Sequence, residues 1–109
     1  MTRPIWVLTG WVLFSACTGS EPWQPPTQAD IDPMYTDCSG GEACVIVQLG
    51  CCDHCNGGAA VSVTAGSETA VMDAYGQSCR PPVACTEMAC APRIAECEAG
   101  VCVSVEASF

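Results

Sequence analysis

Apolar residues fall along this 109-residue chain in three kinds of run, each predicting a different element. The first, Ile5 to Phe14, is broken only by Thr9 and Gly10 and follows Met1-Thr2-Arg3. It is shorter than the roughly 20 apolar residues a bilayer-spanning helix needs and has the build of a signal-peptide core. The second kind is β-branched. Cys44 to Leu49 contains Val45-Ile46-Val47 and ends at Gly50, while Ala59 to Thr64 alternates, with Val61 and Val63 on one side and Ser62 and Thr64 on the other. Both predict strands. Val101, Val103 and Val105 repeat the alternation beyond Glu98-Ala99-Gly100, so residues 95–105 predict a hairpin with Cys97 and Cys102 on either side of its turn. The third kind has helical spacing: Ala70, Val71, Ala74 and Tyr75 follow Ser67, predicting a helix from Glu68 to about Gln77 with a carboxylate in its first turn. The predicted fold class is a small disulfide-rich α+β domain, with short antiparallel strands and one short helix. Cys44-Val-Ile-Val and Cys102-Val-Ser-Val both follow glycine-bearing loops, and antiparallel pairing of the two strands with each other is one arrangement the sequence leaves open.

Cysteine content changes the picture most. Eleven cysteines in 109 residues lie in the range of disulfide scaffolds of oxidising compartments. Cys51, Cys52 and Cys55, closed by Asn56-Gly57-Gly58, form a cluster to which the rest of the chain is tied. Setting Cys17 aside leaves an even ten: Cys38, Cys44, Cys51, Cys52, Cys55, Cys79, Cys85, Cys90, Cys97 and Cys102. All ten are expected to pair; pairing of Cys97 with Cys102 is one of very many connectivities that sequence leaves open.

Around Cys17 the sequence Leu13-Phe14-Ser15-Ala16-Cys17 resembles the lipobox of bacterial lipoproteins, with Phe14 where that family usually has leucine. The resemblance implies removal of residues 1–16 and acylation of Cys17, with the lipid bilayer as a partner. Thr18 after the anchor implies the outer membrane of the cell envelope. Pro22, Pro25, Pro26 and Pro33 then make residues 17–36 read as a flexible, Pro-rich tether, leaving 37–109 as the disulfide-rich domain. Residues 37–105 also resemble cysteine-rich segments of uncharacterised exported proteins of myxobacterial type. That resemblance implies no activity.

Charge narrows the partners. The formal net charge is −9, and beyond Arg3 only Arg80 and Arg93 oppose 12 acidic residues. A phosphate backbone repels such a chain, so no nucleic-acid partner is expected. Loops Ser39 to Ala43 and Pro81 to Thr86 are the expected contact surfaces for a protein partner, and Met88 to Ile94 the alternative for an assembly subunit.

Two chemical readings attach to Cys52-Asp53-His54-Cys55. The spacing resembles the redox dithiol of thiol oxidoreductases, and Cys52, Cys55 and His54 are ligand types zinc accepts. The glycines after Asn56 prevent the helix that stabilises such thiolates, and oxidising conditions close thiols before metal binds them. No catalytic residue, metal or cofactor is therefore expected, and His54 reads as an exposed loop residue or a partner of Asp53. A domain of this size also promises little cavity volume. The expected role is a non-enzymatic, surface-displayed protein-binding module. Thiol titration of the unfolded, unreduced protein should find almost no free sulfhydryl; two reactive thiols at Cys52 and Cys55 would revive the redox or metal reading.

Overall fold

The computed structural model describes residues 22–107 as a small disulfide-rich α+β domain of two antiparallel hairpins and one short helix. Strands β1 (Cys44–Leu49) and β2 (Ala59–Thr64) pair in register, Val45 opposite Val63, Val47 opposite Val61 and Leu49 opposite Ala59. Because directly opposed residues share a face, these six make one continuous apolar surface. Helix α1 (Glu68–Tyr75) lays Val71 on it, and Ile31, Trp23, Tyr35 and Tyr75 complete the cluster. Val47, Leu49, Val61, Val63 and Val71 are at most 2% exposed, each contributing about 1.5–3 kcal/mol of burial. The helix is shorter than predicted, since Gly76 leaves helical geometry and its N–H closes the last turn on Met72 O. Ala70 and Ala74 stay exposed, so Val71 and Tyr75 alone carry its apolar face.

Strands β3 (Arg93–Glu98) and β4 (Val101–Glu106) form the second hairpin, which packs on the opposite side of β1 and β2. Its two-residue turn puts both Ala99 (φ 50°) and Gly100 (φ 81°) in the left-handed region, the geometry that matches strand twist. Pairing of the 44–49 strand with the 101–105 strand, which the sequence left open, does not occur. Each pairs with its neighbour in sequence, where loop closure is easier, and β1 is joined to β4 by the Cys44–Cys102 disulfide instead. Thr36 to Cys38 runs beside β4: Cys102 N–H donates to Thr36 O (2.7 Å) and Cys38 N–H to Gly100 O (2.9 Å).

Residues 22–36 differ from the expected tether. They belong to the folded unit, because Ile31 is buried at 4% and the segment's polar groups find partners in the domain. Trp23 Nε1–H donates to Tyr75 O (3.0 Å), and Tyr75 O–H accepts from Asp32 N–H (3.0 Å) while its ring meets Tyr35 edge-on. Gln28 acts on the free edge of β2: its Nε2 donates to Ser62 O (2.8 Å) and its Oε1 accepts from Ser62 N–H (2.7 Å), as a neighbouring strand would. The same Nε2 lies 3.4 Å from Cys102 O, so one amide links the two hairpins. Prolines suit this segment because it makes few backbone ladder bonds, not because it is free.

One turn within it and another just after it hold carboxylates. Asp30 accepts from the backbone and hydroxyl of Thr27, Asp37 from the hydroxyl and backbone of Ser39, and these bonds lower both pKa values below the ordinary aspartate value. Among the described residues, no helix is long and apolar enough to cross a membrane.

Ser62 and Gln28 generate a paired prediction. Ser62 is fully buried, and among the described residues its Oγ alone of the buried side-chain polar atoms lacks a hydrogen-bond partner. Gln28→Ala should lower stability by about 2 kcal/mol, since two backbone groups of Ser62 lose their partner, whereas Ser62→Ala should be neutral or stabilising by up to about 1 kcal/mol. Urea midpoints under non-reducing conditions read both.

Candidate functional site

Between Gly76 and Pro92 the chain forms neither helix nor strand, and every residue from Ser78 to Cys90 is exposed. A connection of this length without regular structure is uncommon in a compact domain unless something fixes it. Here three disulfides do so. Cys51 bonds Cys79, Cys52 bonds Cys85 and Cys55 bonds Cys90, so the cluster and the exposed segment run alongside each other like two rails joined by three rungs. Of the other two, Cys44–Cys102 ties the second hairpin to the first, and Cys38–Cys97 ties it to the segment that precedes β1. Cys97 and Cys102 face each other across the hairpin, yet each bonds elsewhere. A bond between them would close only a tight turn and restrict the unfolded chain little. Cys17 lies outside the described residues.

The rails are also held by a side-chain amide. Asn56 Oδ1 accepts from Met88 N–H (2.7 Å) and Thr86 Oγ1–H (2.6 Å), and its Nδ2 donates to Met88 O (3.1 Å) and Asp53 Oδ1 (2.6 Å). Asp53 in turn accepts from Cys55 N–H through the same carboxylate oxygen, and its carbonyl receives the N–H groups of Asn56 and Gly58. Gly58 permits this tight loop: a Cβ there would collide with Cys52 O and lie 2.8 Å from Leu49 O. Asn56-Gly57-Gly58 is thus more than a turn. Nothing in the sequence alone pointed to Met88, because the partner lies 32 residues away.

His54 is half-buried rather than exposed, and it does not bond Asp53. Gln48 Nε2 lies 3.4 Å from its Nδ1, and Ala91 O 3.1 Å from its Nε2. An amide nitrogen only donates and a carbonyl only accepts, so the neutral ring carries its proton on Nε2. That nitrogen also lies 3.6 Å from Cys55 Sγ and 3.3 Å from Cys90 Sγ.

This geometry alters the chemical readings of Cys52 and Cys55. They do not pair with each other; their sulfurs go to Cys85 and Cys90, because the exposed rail presents a cysteine to each. The dithiol implied by the C-x-x-C spacing is absent. His54, Cys55 and Cys90 bring their ligand atoms within 4.8 Å of one another, but two of those atoms are joined as a disulfide and offer a metal no thiolate. Nor is cavity volume lacking. A cleft of about 370 Å³ opens between Pro25 to Gln28, His54, Gly58 to Ala60, Arg93 and Ser104, made possible by the packing of the amino-terminal segment onto the domain. Arg93 is anchored there by Ser104, donating from Nε to Oγ (3.0 Å) and from Nη2 to the carbonyl (2.8 Å).

The two loops expected to meet a partner, Ser39 to Ala43 and Pro81 to Thr86, are exposed throughout. Of the segment Met88 to Ile94, Met88 is 68% and Ile94 43% exposed. No protein-family model matches the chain, and no curated protein or solved structure matches it either.

The clamp yields its own prediction. Asn56→Ala should raise amide hydrogen exchange at Thr86 to Met88 by about tenfold while leaving β1 and β2 protected, since the disulfides keep the rails together and only the local bonds are lost. Exchange mass spectrometry on the oxidised protein measures it; unchanged exchange at Met88 would remove the clamp.

Proposed function

We propose that the protein is a lipid-anchored protein of the bacterial cell envelope, outer membrane included, whose folded head binds another protein through the cross-linked segment Ser78–Cys90. The observation that carries this reading is the combination of complete exposure with covalent restraint along that segment. A loop held in one shape loses little conformational entropy when a partner immobilises it, so small cross-linked heads suit recognition without a large core. Within it, Arg80 is one of two cations outside the leader, beside the exposed Pro81, Pro82 and Val83, a local surface unlike the acidic remainder. The lipobox-like sequence ending at Cys17 supports the anchor. With residues 22–36 folded onto the domain, only 18–21 separate that cysteine from the head, which would hold it close to the bilayer surface.

A second reading, a subunit of an envelope assembly, is favoured by the outer face of the β3–β4 hairpin, where Ile94 and Val101 are exposed and Val103 and Val105 half-covered. One experiment separates the two. Affinity capture of tagged protein from native membranes with cross-link mapping should place a partner against residues 80–88, and Arg80→Glu should abolish its recovery. Cross-links confined to Ile94 and Val101 would select the assembly subunit. Intact mass of the processed protein should match a chain beginning at acylated Cys17; an unmodified chain beginning at Ser20 or Glu21 would sink the anchor.

A further inference from the structure

The five disulfides do not have the same surroundings. Cys38 and Cys102 are at most 2% exposed, which closes Cys38–Cys97 and Cys44–Cys102 to a reagent on one side each. The three rungs each have a half-buried sulfur-bearing residue on the cluster and an exposed one on the outer rail. Polar neighbours distinguish them. Cys79 Sγ lies 3.7 Å from Gln77 O, and Cys85 Sγ lies 3.6 Å from Cys51 O and 3.8 Å from Val83 O. A disulfide sulfur has no proton to donate, so these carbonyl oxygens present only negative charge to it. Cys97 Sγ likewise sits 3.5 Å from Cys38 O. Among the described residues, Cys55 and Cys90 are the cysteines whose sulfurs face a side-chain N–H, that of His54 Nε2.

We propose that Cys55–Cys90 is the bond at which this protein exchanges with a small external thiol, with His54 stabilising the sulfur that leaves. The incoming thiolate attacks Cys90 Sγ, the exposed member, and forms a mixed disulfide there. The Cys55–Cys90 bond breaks, and its electron pair passes to Cys55 Sγ as a thiolate 3.6 Å from His54 Nε2, whose one N–H turns to it from the Ala91 carbonyl. One disulfide replaces another and no net oxidation occurs. A second thiolate can then attack the external sulfur, leaving Cys90 as a thiolate 3.3 Å from the same N–H and releasing the small thiol as its own disulfide. Exchange rates rise with the stability of the leaving thiolate, and hydrogen bonds to a charged acceptor are about twice as strong as neutral ones. Carbonyl oxygens at Cys79 and Cys85 oppose the same step. His54 is also part of the wall of the cleft described above, which neither Cys55 nor Cys90 lines.

The proposal is independent of protein recognition by the outer rail. It is tested on the fully oxidised protein with glutathione as the probe, by acid quenching, alkylation of released thiols and peptide mapping by mass spectrometry. Glutathione should appear first on Cys90 and alkylation on Cys55, ahead of the other four disulfides. His54→Leu should slow that step about tenfold and leave opening of Cys51–Cys79 and Cys52–Cys85 unchanged, and His54→Gln, which restores an N–H donor, should recover part of the rate. A variant that merely loosened the fold would open all three rungs faster, the opposite direction. Earlier opening of any other disulfide in the unaltered protein, absence of a mixed disulfide on Cys90, or a His54→Leu rate equal to or above the original would overturn it.

Discussion

Covalent restraint of an unstructured segment is the constraint on which this molecule depends. The apolar core is confined to one face of β1 and β2, the single buried residue of α1, and Ile31 with its aromatic neighbours. Such a core organises two hairpins but has nothing to offer Gly76 to Pro92, which contributes no residue to it. The three rungs supply what packing does not, spanning 28, 33 and 35 residues. Taken singly, each would restrict the unfolded chain by about 3–4 kcal/mol in the chain-entropy picture. They do not add in full. Once Cys51–Cys79 is closed, each later rung closes only the few residues between it and the one before.

Side-chain amides do for this fold what further strands do in larger sheets. A two-stranded sheet has two free edges, and the N–H and C=O of Ser62 would be stranded on one of them beneath the amino-terminal segment. Gln28 meets both groups, and Asn56 meets both groups of Met88 in the same manner. Each is a peptide-like donor and acceptor delivered by a side chain, so each fixes an irregular segment without requiring it to become a strand. This is why segments rich in proline and glycine can be ordered here.

The same facts show which parts of the fold were legible in the sequence. The strands at Cys44 to Leu49 and Ala59 to Thr64, the helix beginning at Glu68 and the hairpin around Ala99-Gly100 were carried by β-branched runs, alternation and turn chemistry, all local signals. The partner of each strand was less legible, because Cys44-Val-Ile-Val and Cys102-Val-Ser-Val look alike and only the short connections favour neighbours. Long-range polar bonds left no trace at all. Gln28 stands among prolines and reads as linker, and its partner Ser62 reads as the outward-facing position of an alternating strand. That position is buried because the second hairpin covers it, a fact of tertiary packing rather than of pattern. His54 was legible only as a residue beside two cysteines; its position between Gln48 and Ala91 follows from pairings that many alternatives would have satisfied equally.

Rigidity and chemical openness are distributed differently along the outer rail. Residues 80–84 lie between the Cys79 and Cys85 rungs, both of which end on carbonyl-lined sulfurs. Residues 86–89 lie between Cys85 and Cys90, held additionally by Asn56 through Thr86 and Met88. Opening Cys55–Cys90 therefore would leave the first stretch closed at both ends and the second closed at one end and clamped in the middle. Shape would persist around Arg80 to Ala84, while Ala89 and Cys90 would gain freedom between the Met88 clamp and the bonds that hold the carbonyls of Ala91 and Pro92. The proposed recognition surface and the proposed reactive bond share one short segment, and the order of the rungs along the chain keeps their restraints separable.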